Sequence, residues 1–261
     1  DTRARIQMLL HCQSKQVIFT PTATIALNII IQGIIKKGAK NIYISPFEHN
    51  AITRILHSYE RNGLIQVKTL YITENLDFDV ERTRYQFDAS KPDLVIVSHV
   101  SNVIGFIAPI ESIFTLAKKY DAITLADMAQ SAGLVDCNVG QECIDFAVFA
   151  GHKTLLGPTG ISGFVMKPTL YLPAIIFGGT GFDSANQDMP DSLPERYEMG
   201  TQNIIGIAGL NASLHWIEEK GIDNLWKIEH ENRQKLLFLL SQYPFVSTVG
   251  NFVGKEYVGI V

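Results

Sequence analysis

The chain has 261 residues, 46% of them hydrophobic and 18% charged, with a formal net charge of -4 and a sequence pI near 6.0. That composition describes a globular protein with a large core and excludes a disordered one. It leaves no basic excess for a nucleic-acid backbone, so a small-molecule site is expected. The longest apolar run, Ile29 to Ile35, is broken by Gln32 and Gly33 and falls short of the roughly 20 residues of a membrane helix, so no membrane partner is expected. Cys12, Cys137 and Cys143 form an odd set with no CxxC and no zinc-like His spacing, which excludes a disulfide framework and a structural metal and makes the reducing cytoplasm the expected compartment. The chain starts without Met or a signal peptide and stops in the apolar run Tyr257 to Val261, so a piece of a longer protein is expected.

From Thr20 to about Lys167, short β-branched runs alternate with helical segments, which predicts an α/β fold with a mostly parallel sheet between helices. At its start, FTPTATIALN (19–28) is a strand-like stretch that opens a helix at Thr24. Backbone amides at such a helix start, with a Thr hydroxyl, suit a phosphate, although Thr24 also reads as a plain N-cap. The helix is predicted over 24–37, a strand over 42–45, a helix over 51–61, a strand over 66–72 and a helix over 80–87. A strand over 94–100 and a helix over 110–120 follow. The strand over 122–126 then runs into ADMAQSAG (126–133), which puts Asp127 at the carboxyl edge of the sheet where such folds bind ligands. Asp127 can pair there with a pyridinium nitrogen, with Gln130 near a ring hydroxyl, or it can cap a following helix.

The next strand, 146–149, leads into AVFAGHKTLLGPTGISGF (147–164), which carries His152 and Lys153 between strands and ahead of a Gly-Pro-Thr-Gly turn. A lysine in so apolar a setting is favoured as a neutral, nucleophilic amine of the kind that forms imines, and it also reads as a loop lysine snorkelling to water. A strand is predicted over 161–166. Residues 178–200, rich in Gly, Pro, Asp and Ser, read as a long functional loop. Helices are predicted over 204–219 and 222–242. The pieces 246–249 and 257–261 are expected to be the first strands of a small second domain, so that 1–240 form a large ligand-binding domain lacking an N-terminal segment and 241–261 the start of a truncated C-terminal one.

The order of phosphate loop, His49, Asn102, Asp127-x-Ala-Gln130 and His152-Lys153 resembles the class V aminotransferase and cysteine desulfurase group of fold-type I pyridoxal-phosphate (PLP) enzymes, over essentially the whole chain. The resemblance implies a seven-stranded-type sheet, with PLP as cofactor held by Lys153 as a Schiff base. It implies that Asp127 holds the pyridine nitrogen, that Gln130 and Asn102 (in SHVSNVIG) contact the ring oxygen and substrate region, and that His49 (in PFEHNAI) stacks on the ring. Without the resemblance, His49 reads as a solvent-facing His at a helix start. The resemblance assigns the phosphate to Ala23, Thr24 and His152, and carries Thr201, in EMGTQN, onto a threonine that reaches the phosphate of a partner subunit, which implies a homodimer. Two positions depart from the family pattern: Pro21-Thr22 stand where it has Ser-Gly, and Ala150 stands where it has a serine shortly before the lysine. Loss of one hydrogen bond to the phosphate weakens its binding by about 1.5 to 3 kcal/mol.

Within the group, GHKTLLGPTG, GGTGFDS and ERYEMGTQNIIGIAGL are most similar to cysteine desulfurases, which turn L-cysteine into L-alanine and an enzyme persulfide for a sulfur-acceptor protein. The attacking Cys and a carboxylate-binding Arg are then expected in a C-terminal part outside this sequence, with Cys12, Cys137 and Cys143 as small core residues. The alternatives are a class V aminotransferase acting on a small amino acid and a 2-oxo acid, and a non-catalytic binding or assembly module of the same fold.

Overall fold

Alternation of side chains along each strand builds two cores on one sheet. In β6 (Phe146–Ala150), Phe146 and Val148 enter one core and Ala147 and Phe149 the other, and β4 (Leu94–Ser98) divides Leu94 and Ile96 from Val95 and Val97 in the same way. Every residue of both strands is buried, so helices must cover both faces. The computed structural model describes residues 1–181, 185–249 and 252–261. It completes the sheet with β1 (Gln16–Thr20), β2 (Asn41–Ile44), β3 (Gln66–Thr69), β5 (Ile123–Asp127) and β7 (Ser162–Met166), in the order β1-β7-β6-β5-β4-β2-β3.

Strands β3, β2, β4, β5 and β6 are parallel, and β7 runs antiparallel to both β6 and β1. β1 therefore points the same way as β6. The carboxyl ends of six strands meet at one edge of the sheet, and the loops that leave them share a rim.

On one face lie α1 (Thr2–Leu9), α4 (Val80–Ala89), α5 (Ile110–Lys118) and α6 (Ile204–Lys220), anchored by Ile6, Phe87, Phe114, Leu210 and Leu214. On the other lie α2 (Ala23–Lys36) and α3 (Asn50–Arg61), anchored by Ile30, Ile34, Ile52 and Leu56. α2 is apolar nearly all round because the sheet, α3 and the segment near Leu172 enclose it. Gly33 allows that enclosure: a Cβ there would sit 3.1 Å from Leu172 Cβ. A last helix, α7 (Ile222–Leu240), follows α6 directly.

The α/β fold and the mostly parallel sheet expected from the sequence are present, with element ends displaced by a few residues. α1 was not expected, because its only buried residues are Thr2 and Ile6 and its periodicity is weak. β3 stops at Thr69 and not at 72, since Ile72 bridges Phe78 instead. Residues 246–249 and 257–261 form no strand. Tyr257 makes one bridge to Phe106 and Val258 N–H donates to Gly105 O at 2.9 Å, so the tail lies over the turn at 105–107 and not along a sheet edge, where a ladder could grow. Of the motif GGTGFDS, residues 182–184 lie outside the described residues.

One ion pair ties three distant segments. Buried Glu198 accepts from Arg3 through both oxygens, at 2.7 and 2.8 Å, and from Phe19 N–H at 2.6 Å, while the Arg3 guanidinium stacks 4.4 Å from the Phe19 ring. Glu198→Ala leaves a buried N–H and a guanidinium without their acceptor. It is expected to lower unfolding stability by about 2 to 4 kcal/mol in urea titration, and a loss under about 0.5 kcal/mol would show the pair to be dispensable.

Candidate active site

The rim formed by the strand ends encloses a cavity of about 290 Å3. It is lined by Ala23 and Thr24 after β1, His49 after β2, Asn102 after β4, Asp127 and Gln130 after β5, and His152 and Lys153 after β6. Residues from five loops, far apart in the chain, are thus brought together. Thr201 is not among the lining residues: it is exposed, ahead of Asn203, whose side chain caps α6 by accepting from Gly206 N–H at 2.9 Å.

At the floor, Asp127 is the last residue of β5 and buried. Its Oδ1 accepts from Ala129 N–H at 3.0 Å, and the carboxylate makes no ion pair at contact distance among the described residues. No helix follows it, so the helix-capping alternative falls away. Burial raises the Asp127 carboxyl above its ordinary value, against the lowering influence of the Ala129 N–H and of the Lys153 and His49 charges. A floor of this kind favours a cationic N–H in the cavity, because a buried carboxylate with spare acceptor capacity is costly until something donates to it.

The opposite wall offers the reverse polarity. α2 starts at Ala23, one residue earlier than expected, and its cap is Thr22 and not Thr24: the Thr22 hydroxyl accepts from Ile25 N–H at 3.2 Å. The amides of Ala23 and Thr24 in the first turn have no intrahelical acceptor and face an anion-binding position at the helix start. Thr22 also lines the cavity.

Lys153 sits in a short loop whose shape its glycines dictate. Gly157 N–H donates to Gly151 O at 2.7 Å and Lys153 N–H to Ala150 O at 3.3 Å. A Cβ on Gly151 would collide with Ile161 O, so a side chain at that position would push the loop away. The Lys153 amine is half-buried and makes no hydrogen bond or ion pair among the described residues, which leaves it free for a covalent partner. Lys153 and Gln130 also line an adjoining cavity of about 690 Å3 bounded by Leu225, Ile228, Asn232 and Leu236 of α7. His49 caps α3, its Nδ1 accepting from Ala51 N–H at 3.1 Å, which fixes the ring.

Two residues of this edge escaped the sequence reading. Glu48 accepts from Ser45 and from both the N–H and the hydroxyl of Ser98, and burial pushes its carboxyl up to about 7, against those hydrogen bonds and with the Asp127 charge adding to the rise. His99 is buried behind the floor, its N–H donating to Asp127 O at 2.9 Å and its Nδ1 2.9 Å from Ser131 Oγ. Only its adjacency to the Ser98 strand end marked it in the sequence. The cysteines lie elsewhere: burial pushes Cys12 up to about 11 and Cys137 up to about 12, and none of the three lines the cavity.

Burial holds the His99 imidazole neutral, with its pKa lowered from 6.5 to about 4. The unfolded chain takes up that proton between the two values and the folded chain does not, so stability is withdrawn as pH falls from 6.5 to about 4 and is unaffected by this group above that window. His99→Gln is expected to flatten the acid side of the stability curve, measured as a smaller fall in Tm between neutral pH and pH near 4.5 than in wild type. An equal fall in both would show that His99 does not carry the effect.

Comparison with known proteins places this geometry. The family model described as Aminotransferase class-V matches residues 1–261. A probable cysteine desulfurase of Halalkalibacterium halodurans is 31% identical over 271 residues, covering 95% of this chain and 63% of the relative. The apo structure of a cysteine desulfurase from Thermococcus onnurineus NA1 superposes with a TM-score of 0.81 at 26% identity, covering 92% of this chain and 61% of that one. The cysteine desulfurase CsdA from Escherichia coli gives 0.82 at 25% identity, covering 93% and 62%. The chain spans less than two thirds of the length of these relatives.

Proposed function

Because this chain belongs to the aminotransferase class-V family, we propose that it is the cofactor-binding part of a PLP-dependent cysteine desulfurase. The observation that carries the reading is the cavity in which a buried, under-donated Asp127 carboxylate, a free Lys153 amine and the open start of α2 converge. The donor set fits PLP from end to end: anion acceptance at Ala23, Thr24 and His152, a covalent attachment point at Lys153, and a partner for a protonated ring nitrogen at Asp127.

When bound, PLP supplies an electron sink for bonds at the amino-acid α-carbon. The chain's own residues then have separate tasks. Asp127 would hold a proton on the ring nitrogen, Gln130 and Asn102 would contact the ring oxygen and substrate region, and His49 would cover the ring face. The Lys153 amine would be the attachment point and, when unbonded, would be placed to move a proton. The adjoining cavity beside α7 gives the amino acid room to enter. L-Cysteine is the proposed substrate, by analogy with the desulfurases this chain resembles, with L-alanine and an enzyme persulfide as products for a sulfur-acceptor protein. The persulfide-forming thiol is not Cys12, Cys137 or Cys143, because none reaches the cavity and Cys12 and Cys137 are held protonated at neutral pH. Thr201 is proposed to meet the phosphate of a second subunit, making the enzyme a homodimer. Its exposure and its distance from this subunit's own cavity lining are compatible with that part.

Full-length protein supplied with PLP, a thiol reductant and L-cysteine is expected to release sulfide and alanine in equal amounts. A 2-oxo acid without sulfide would make the enzyme a transaminase, and neither product would overturn the reading. Lys153→Ala is expected to release its PLP on denaturation after borohydride treatment, where wild type retains it; retention by the variant would move the attachment point. Asp127→Asn is expected to keep PLP but lower kcat by about 100-fold or more, as loss of a preorganised electrostatic partner does. Near wild-type turnover would show that another group holds the ring proton.

A further inference from the structure

We propose that Glu48 is a positioning residue for this reaction, tying the turn between β2 and α3 to the end of β4 and so holding His49 in the cavity beside Asp127; the proposal rests on the function given above. Glu48 Oε1 accepts from Ser98 N–H at 2.8 Å and from the Ser45 hydroxyl at 2.5 Å, and Oε2 accepts from the Ser98 hydroxyl at 2.7 Å. Ser45 directly follows β2, and Ser98 is the last residue of β4, paired in register with Asp127 on β5. One carboxyl group thus joins two strand ends and stands one residue before His49. The cap from Ala51 N–H fixes the His49 ring relative to α3, but it does not fix α3 relative to the strand ends. The Glu48 hydrogen bonds supply that second restraint.

The electrostatics argue against a role in folding alone. β2 and β4 offer Glu48 only the neutral groups of Ser45 and Ser98, and the charged group that bears on it is the Asp127 carboxylate, itself accompanied by Lys153 and His49. Placing a second acid against a buried acid costs stability. An apolar residue would remove that repulsion, but it would leave the Ser98 N–H without this acceptor and the two strand ends and the His49 turn unconnected.

The test compares Glu48→Ala and Glu48→Gln with wild type in the full-length protein, with and without PLP. Histidine-labelled apoprotein reports the His49 ring signal by NMR, identified by its absence in His49→Gln. In Glu48→Ala the signal is expected to shift or broaden and kcat to fall about 10- to 100-fold, the range for a misplaced group near the reacting centre, with KM within about two-fold. PLP retention after borohydride treatment should be unchanged. Glu48→Gln, which keeps an acceptor for Ser45 and Ser98, should restore the ring signal and most of kcat. An unmoved His49 signal in Glu48→Ala, or an equal loss in both variants, overturns the proposal. If Glu48→Ala does not fold, Ser98→Ala removes the Oε2 donor and is held to the same outcomes. Failure of wild type to retain PLP would sink the function proposed above, while the apoprotein signal would still decide whether Glu48 holds His49.

Discussion

The site depends on a carboxylate buried at the end of a central strand. Asp127 lies beneath the cavity with one backbone N–H as its hydrogen-bond donor and the Lys153 and His49 side chains near it but out of contact. Such a group is costly until a further donor meets it. Across the cavity the first turn of α2 presents amides that ask for an anion. Lys153 lines the same cavity as both of these groups.

The sheet makes this arrangement cheap in conformational terms. Six strands release their loops at the same edge, so no single loop has to be long or strained to deliver its residue. The exception is the loop after β6, where the turn that carries Lys153 is drawn tight between Gly151 and Gly157 and tolerates no side chain at Gly151. Local rigidity is thus concentrated in the turn that carries Lys153, directly after a strand buried along its whole length.

Around this centre the fold places groups that act through others. Glu48 and Ser98 bridge neighbouring strand ends, His99 backs the floor as a neutral buried ring, and Glu198 fastens the segment before Thr201 to α1 and β1. The adjoining cavity is bounded by α7, and Phe238, Leu239 and Phe245 near the end of that helix are exposed.

The sequence by itself determined the alternation of strands and helices and the position of Asp127 at a strand end. Local signals, a helix start and polar residues at strand ends, also marked Thr24, Asp127, Gln130 and Lys153, while Ala23, His49, Asn102 and His152 entered only through the family resemblance; that all eight line one cavity was decided by the sheet. The sequence did not determine β1's antiparallel pairing with β7, because strand order depends on contacts between segments far apart in the chain. Nor could it show the failure of 257–261 to extend a sheet, since an apolar run reads as a strand whether or not an edge is free to receive it. The clamp of Glu48 across two strand ends and the neutral state of His99 arise only once Ser45, Ser98, Asp127 and Ser131 are brought together. Hydrogen-bond partners and desolvation are properties of the folded neighbourhood, and no spacing along the chain records them.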